Sequence, residues 1–253
     1  MTAISAPAIP APALAARIGT TIRIHLANPW SLVITPALIT FGVFLLNFAI
    51  WHAVRIAAGD RPLDPNAFNY NGGVSWVLFF MTVVAVQSMN QTFSFTVGLG
   101  ATRRDYFLGT TLLFAGLALG FGTWIALMAG IERATNGWGI NGHFFAPGFL
   151  GSLPLWELAV VYSLAIALML AIGSAAGAMF VRWAANGVIA FFAVLAVVVV
   201  GGVFAISATH SWEAVARFFS ERDVIDIALL SIPITLASAG FAFIALRRAT
   251  PKG

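Results

Sequence analysis

A chain of 253 residues with 60% hydrophobic and only 9% charged residues cannot cover a water-facing surface, because soluble domains carry about 25% charged residues. This composition excludes an ordinary soluble domain and predicts an integral membrane protein. The net charge of +4 does not indicate nucleic acid as a partner, because the charges lie at the ends of apolar segments. The sequence has no cysteine, which excludes thiol chemistry.

The N-terminal region precedes the apolar segments. Residues 1–13 are rich in Ala and Pro and predict a disordered cytoplasmic tail. Residues 14–27 alternate apolar side chains with Arg17, Arg23 and His25, a pattern that favours an amphipathic helix lying in the membrane interface. A short cytoplasmic lead-in is the alternative interpretation. Residues 28–249 form the predicted transmembrane domain, and residues 250–253 form a cytoplasmic tail.

Six apolar segments follow, each long enough to cross the roughly 30 Å hydrocarbon core as a helix. A short amphipathic helix is expected at 211–222, before the last of them. The predicted fold class is therefore an all-α membrane protein with six transmembrane helices, an N-terminal interfacial helix and a short outer helix. The predicted spans are approximately 31–51, 74–97, 106–131, 153–180, 187–206 and 224–246.

The positions of the basic residues predict the orientation. If both termini are cytoplasmic, eight Lys and Arg residues lie on the inner side and five on the outer side. Cytoplasmic segments of membrane proteins are enriched in these residues. We therefore expect a multi-pass protein with both termini in the cytoplasm. The inner set is Arg17, Arg23, Arg103, Arg104, Arg182, Arg247, Arg248 and Lys252.

A compact polar turn is predicted between the second and third spans. Gly98 and Gly100 are typical of a helix C-terminus. Thr102, followed three residues later by Asp105, matches the capping box that begins a new helix. Two adjacent arginines lie between the capping residues. They can be explained as positive-inside anchors of the membrane topology, but this explanation accounts less well for the glycines and the cap. The arginines are Arg103 and Arg104, and Tyr106 follows the box.

A polar stripe marks the second half of the second span. Its members follow the spacing i, i+3, i+4 and i+7 and so share one helical face. Unpaired amides are costly in hydrocarbon, so this face is not expected to contact lipid. Two interpretations are equally favoured. The stripe bonds to neighbouring helices, or it lines a translocation path or a dimer seam. The stripe comprises Gln87, Asn90, Gln91 and Ser94.

The sequence lacks the motifs of several functions. There is no GxxxxGK[ST] loop, and Lys252 is the only lysine, so the chain is not expected to bind ATP or to be an enzyme itself. The four histidines have no metal-site spacing, and we expect neither a metal site nor catalytic residues. Glu157 and Asp226 lie near the predicted outer ends of spans, where pairing or exposure is favoured over a proton relay.

Three stretches resemble a known family. GLGATRRDYFLGT at 98–110 is similar to the loop between the first two full hairpins of ABC exporter permeases of the second membrane class, especially small bacterial ones. GSAAGAMFVRWAANG at 173–187 resembles their connection between the fourth and fifth spans. The lead-in that ends at Asn28-Pro29-Trp30 resembles their interfacial entry helix. The six-span layout covers the whole chain.

The resemblance implies a type V exporter fold in the bacterial cytoplasmic membrane. Two permease chains, identical or different, would pair, and separate ATPase subunits would bind ATP and Mg, so that this chain needs no cofactor. A hydrophobic or amphipathic substrate and membrane lipid are the other expected partners. The implied ATPase-coupling residues are Gly98, Gly100, Thr102, Arg103, Arg104, Asp105 and Tyr106. The implied path or seam adds Phe95, Phe191 and Phe192 to the polar stripe.

The alternative is a membrane protein that works without an ATPase. A small secondary carrier is one form, and an immunity or sensor membrane subunit is another. An inverted repeat with broken helices in both halves would favour a carrier. No such repeat is visible in the sequence.

Overall fold

A computed structural model describes residues 13–64 and 66–249. The chain is 82% helical, and the described residues contain no strand. The predicted tails lie outside these residues apart from Ala13. The α-helices are α1 (Leu14–Leu26), α2 (Thr35–Ala58), α3 (Ser75–Gly98), α4 (Arg103–Ala134), α5 (Leu155–Ala208), α6 (Trp212–Ser220), α7 (Val224–Leu229) and α8 (Ser231–Arg247). Short π-helical turns cover Trp30–Ile34 and Gly137–Asn141, and Gly148–Leu150 is a 3-10 turn.

Four helical segments of the described chain are long and apolar enough to cross a membrane, as expected of a transmembrane protein. They are Trp30–Ala58, Arg103–Ala134, Leu155–Ala208 and Val224–Arg247. Helix α3 is not among these four. The amides of its polar stripe lower its mean hydropathy. The number of segments is four and not six for a second reason as well: the predicted fourth and fifth spans lie within one helix, α5.

Helix α5 is interrupted at one residue. Ala184 has φ 54° and ψ −146°, outside the helical region, and divides the 54-residue helix into two parts. The predicted connection at 181–186 is thus a single non-helical residue rather than a loop. After the break, Phe191 contacts Phe241 of α8, with ring centroids 6.3 Å apart. The second part of α5 therefore packs against α8.

Helix α5 is the centre of the packing and contacts α3, α4 and α8. Gly173 and Gly177 allow the close approach to α3. A Cβ atom on Gly173 would lie 2.4 Å from the carbonyl oxygen of Thr82, and one on Gly177 would lie 2.8 Å from the Cβ atom of Met89. Small residues at such positions let backbones pack closely in apolar surroundings. A larger side chain at either position would force the two helices apart.

The two described ends of the chain meet at the start of α4. The guanidinium Nε of Arg17 in α1 lies 3.4 Å from the Oδ2 atom of Asp105. Arg103 donates a hydrogen bond of 2.9 Å to the carbonyl of Arg247, the last residue of α8. Helix α1 thus begins, and helix α8 ends, against the turn between α3 and α4. This arrangement gathers most of the basic residues predicted to be cytoplasmic at one end of the bundle.

The other end of α4 carries a buried carboxylate. Glu132 is 0% exposed and accepts N–H donors from the loop that follows the helix. Its Oε2 atom accepts from the backbone of Phe144 at 2.7 Å and Phe145 at 3.1 Å, and from the indole of Trp138 at 3.0 Å. Its Oε1 atom accepts from the backbone of Ala146 at 3.2 Å. Charge-assisted bonds of this kind compensate for the burial of a carboxylate and fix the loop against the bundle.

The second part of α5 and most of α8 are apolar and exposed. Val197 is 72% exposed, Phe204 73% and Leu236 67%. A helix that is apolar all round belongs in lipid or in a larger assembly. The predicted sixth span is divided into α7 and α8 at Leu230. Pro233 follows closely, and its ring removes a backbone donor from the first turn of α8.

Candidate functional site

The turn between α3 and α4 is built from two complementary helix ends. At the end of α3, the N–H of Ala101 bonds to the carbonyl of Thr96 at 3.2 Å, and that of Gly100 to Val97 at 3.0 Å. This pair of bonds is a Schellman motif, and it places Gly100 at the left-handed position, with φ +91°. At the start of α4, Thr102 accepts the N–H of Asp105 at 3.1 Å, which confirms the predicted N-cap.

The side chain of Asp105 does not complete the reciprocal half of the box. It is 2% exposed and lies against Arg17 of α1, which is 39% exposed. The carboxylate therefore points into the protein, where it joins α1 to the start of α4. Tyr106, at 0% exposure, also lies inside the bundle. These two of the predicted ATPase-coupling residues hold the turn in place from within.

The other coupling residues lie at the surface. Arg103 is half-buried and donates its hydrogen bond to the end of α8, while Arg104 is exposed. The structure thus brings all seven predicted coupling residues into one turn but orients them in two ways. Those exposed to solvent or to a partner are Gly98, Gly100, Thr102 and Arg104.

Behind the turn lies a polar cluster centred on His25, the penultimate residue of α1. The imidazole is 4% exposed, with Nδ1 2.9 Å from the hydroxyl of Ser88 and Nε2 2.9 Å from that of Thr110. Thr92 lies 3.4 Å from Nε2 and 2.9 Å from the hydroxyl of Tyr106. The cluster joins α1, α3 and α4 through hydrogen bonds in an otherwise apolar bundle.

The same cluster fixes the charge of His25. Burial lowers the pKa of His25 to about 4, because the charged imidazolium would lose its hydration. The ring is therefore neutral near pH 7, with one nitrogen as donor and the other as acceptor. Both hydroxyl partners can play either role, so each tautomer has two partners. His25 is consequently a neutral hydrogen-bonding group rather than an interfacial cation.

The predicted stripe on α3 lies partly at the surface. Gln87 and Gln91 are exposed, while Asn90 and Ser94 are half-buried. The Oδ1 atom of Asn90 is buried and has no hydrogen-bond partner among the described residues. Phe95, on the same side, is 58% exposed. The stripe therefore leaves polar groups on the outer surface of a single chain. Both a dimer seam and a translocation path would need polar groups at this surface.

Other predicted positions are less closely grouped. Phe191 is half-buried against α8, and Phe192 is 45% exposed, both on the second part of α5. Glu157 is half-buried in the first turn of α5, and Asp226 is exposed in the first turn of α7. The two acids thus lie at helix starts, where a negative charge is favoured by the helix dipole.

Sequence reasoning missed the central role of His25, which it grouped with the arginines of α1. The sequence contained part of the signal. His25 follows Arg17 by eight residues, close to two helical turns, which places both side chains near the same face of α1. The partners Ser88 and Thr110 lie far away in the sequence, and nothing local connects them to His25. Glu132 lies just beyond the predicted third span, 106–131, and sequence reasoning gave it no role.

No family model, no characterised protein and no solved structure matches the chain in comparisons with known proteins.

Proposed function

We propose that the chain is the membrane-spanning subunit of an ATP-driven exporter of the ABC class, coupled to a separate ATPase through residues 98–106. Two such chains form the substrate path, and the partner ATPase binds ATP and Mg. The energy for export reaches this chain by contact, since it carries no nucleotide-binding motif of its own.

The observation that carries the proposal is the construction of the turn between α3 and α4. A Schellman motif, an N-cap, the Arg17–Asp105 ion pair and the bond from Arg103 to the end of α8 all converge on it. A positive-inside anchor needs only the charges. A turn held from four directions can transmit a displacement to α1, α3, α4 and α8 together, as coupling to an ATPase requires.

The exposed surfaces support a paired assembly. The outward-facing amides of Gln87 and Gln91 need hydrogen-bonding partners that one chain does not provide among its described residues. The second part of α5 offers an extensive apolar face. In the proposed assembly, α3 and both parts of α5 cross the membrane, which gives six crossings with both termini cytoplasmic.

The decisive experiment is co-expression of the tagged chain with each ABC-type ATPase encoded in the same genome. The complex is purified in detergent, transferred to nanodiscs and assayed for ATP hydrolysis with Mg. We expect one ATPase to co-purify stoichiometrically. Changing Arg104→Glu should reduce its binding at least tenfold, because the exposed arginine lies on the contact surface.

The matched control is Arg248→Glu, an exposed arginine at the same end of the bundle that is not part of the turn. This variant makes the same change in net charge and should keep wild-type binding of the ATPase. Failure of every ATPase to bind would contradict the proposal. Equal loss of binding in both variants would assign the effect to net charge and not to the turn.

A further inference from the structure

A small polar pocket adjoins His25, separate from the proposed ATPase contact. It has a volume of about 70 Å³ and lies between α1, the Trp30–Ile34 turn and α3. His25 and Ser88 lie at its buried side, whereas Gln87 and Gln91 are exposed at its mouth. The pocket therefore connects the buried His25 cluster with the outer surface of α3.

The lining of the pocket is polar but uncharged. No Lys, Arg, Asp or Glu lines it in the described chain. Asn28, Gln87 and Gln91 contribute amides, and Ser31 and Thr92 contribute hydroxyls. Each of these groups can both donate and accept hydrogen bonds. A charged ligand would be buried without a counter-charge, at a high cost in free energy, whereas a hydroxyl group matches every polar side chain of the lining.

The remaining walls and the size narrow the ligand further. Ile24, Leu32 and Val84 provide an apolar side against which the C–H groups of a polyol can pack. One water needs roughly 10–15 Å³ of such space, so the pocket has room for about five to seven water-sized positions. A group of the size of glycerol, or one edge of a sugar ring, fits these dimensions.

We propose that this pocket binds an uncharged polyhydroxy group, with the amides of Gln87 and Gln91 as its hydrogen-bonding partners and the imidazole of His25, already bonded to Ser88 and Thr110, as part of its wall. The group could be carried on a lipid or be a free polyol, since both present the same hydroxyls. The pocket lies within one chain and apart from the proposed ATPase contact, so its binding can be tested separately from the proposed function.

The test uses the full chain in phosphatidylcholine nanodiscs with ¹³C-labelled histidine. The sequence has four histidines, and the resonance that disappears in His25→Gln identifies the ring of interest. Monoglucosyl diacylglycerol is titrated in, with diacylglycerol of the same acyl chains as the matched lipid without a sugar. We expect a saturable shift of the His25 resonance with the glucosyl lipid and less than one-tenth of that shift with diacylglycerol.

A second arm separates the two sources of the hydroxyls. Glucose and glycerol are added to nanodiscs that contain no glycolipid. A saturable shift at millimolar glucose or glycerol would assign the site to a free polyol. A shift with the glucosyl lipid alone would assign it to a lipid headgroup. Either result supports a polyhydroxy site.

Two variants test the assigned partners. Gln87→Leu combined with Gln91→Leu should weaken binding at least tenfold, while Phe79→Leu, at an exposed position elsewhere on α3 and outside the pocket lining, should bind as the wild type does. Unchanged resonances of the other histidines show that each variant is folded. The proposal is overturned if neither the glucosyl lipid nor a free polyol shifts His25 saturably. It is also overturned if diacylglycerol or anionic phosphatidic acid shifts it as strongly as the glucosyl lipid.

Discussion

Arg17 of the N-terminal helix lies 3.4 Å from Asp105, a buried carboxylate in the first turn of α4. Further along the same two helices, a Cβ atom on Gly109 would lie 2.7 Å from the Cβ atom of Thr21, and His25 bonds to Thr110. These contacts advance along both helices in the same direction, so α1 packs lengthwise against the start of α4. Any movement of the turn is therefore transmitted directly to α1.

The first prediction concerns this ion pair. Arg17→Gln should destabilise the protein more than Asp105→Asn, because it leaves a buried carboxylate unpaired, whereas the reverse change leaves an arginine that is 39% exposed. We expect Arg17→Gln to cost about 2–4 kcal/mol and Asp105→Asn roughly half as much. Thermal unfolding in detergent measures both, and the double variant should be more stable than Arg17→Gln alone. An additive double variant would contradict the pairing.

The second prediction is a pH dependence of stability from His25. Its pKa is lowered to about 4 in the folded protein, against 6.5 for an unperturbed histidine. Between these values the unfolded state binds more protons, so stability should be complete above pH 6.5 and decrease as the pH falls towards 4. The total loss is at most about 3 kcal/mol.

Thermal unfolding from pH 7.5 to 4.5 measures this effect of His25. His25→Gln should flatten the dependence over this range, whereas His52→Gln, an exposed histidine in α2, should leave it unchanged. An identical slope in His25→Gln and wild type would assign the pH dependence to other groups. The residues packed around the ring, Ser88, Thr92, Tyr106 and Thr110, offer no carboxylate that could stabilise its charged form.

The third prediction is the topology. The asymmetry of eight to five basic residues predicts that Ala101 and Asn141 lie on opposite sides of the membrane. The chain has no native cysteine, so single cysteines at these positions can be labelled without background. In intact cells, a membrane-impermeant maleimide should label Asn141→Cys and leave Ala101→Cys unlabelled until the membrane is permeabilised. Labelling of both from outside would exclude the proposed orientation.

The fourth prediction concerns the polar stripe of α3. Replacing Gln87, Asn90 and Gln91 together with Leu should preserve insertion, because it makes the helix more apolar, but should impair pairing of the chains or transport. Removing the orphaned Oδ1 atom of Asn90 should also stabilise the isolated chain slightly. Single-molecule photobleaching in nanodiscs measures the pairing. A triple variant that pairs and transports as the wild type would show that the stripe can face lipid.

The fifth prediction concerns the turn itself. Gly100→Pro keeps every charge but cannot adopt φ +91° and removes the N–H that bonds to Val97. Arg103→Lys together with Arg104→Lys keeps the positive charge but loses the planar guanidinium. Both variants should insert and pair normally, while hydrolysis by the bound ATPase, assayed with the reconstituted complex, should fall several-fold. Wild-type coupling in both would leave the arginines as topological anchors.

Local patterns in the sequence determined several features of this protein. The capping pair Thr102 and Asp105 predicted the start of α4, and Gly100 predicted the end of α3, because caps depend on residues three or four positions apart. Composition determined the all-helical, membrane-compatible class. The amide spacing in α3 placed Gln87 and Gln91 on one side of the helix.

Only the tertiary structure decided where those elements meet. The partners of His25 are 63 and 85 residues away, and the ion pair of Asp105 reaches back to a helix that sequence reasoning laid in the membrane interface. The sequence predicted a connection at 181–186 between two spans, and the structure reduces it to a single non-helical residue, Ala184, within one helix. Burial was the physical reason, because a charge inside the bundle must be paired or removed. His25 is therefore neutral, Asp105 points inward to its pair, and Arg104 is the exposed charge of the turn.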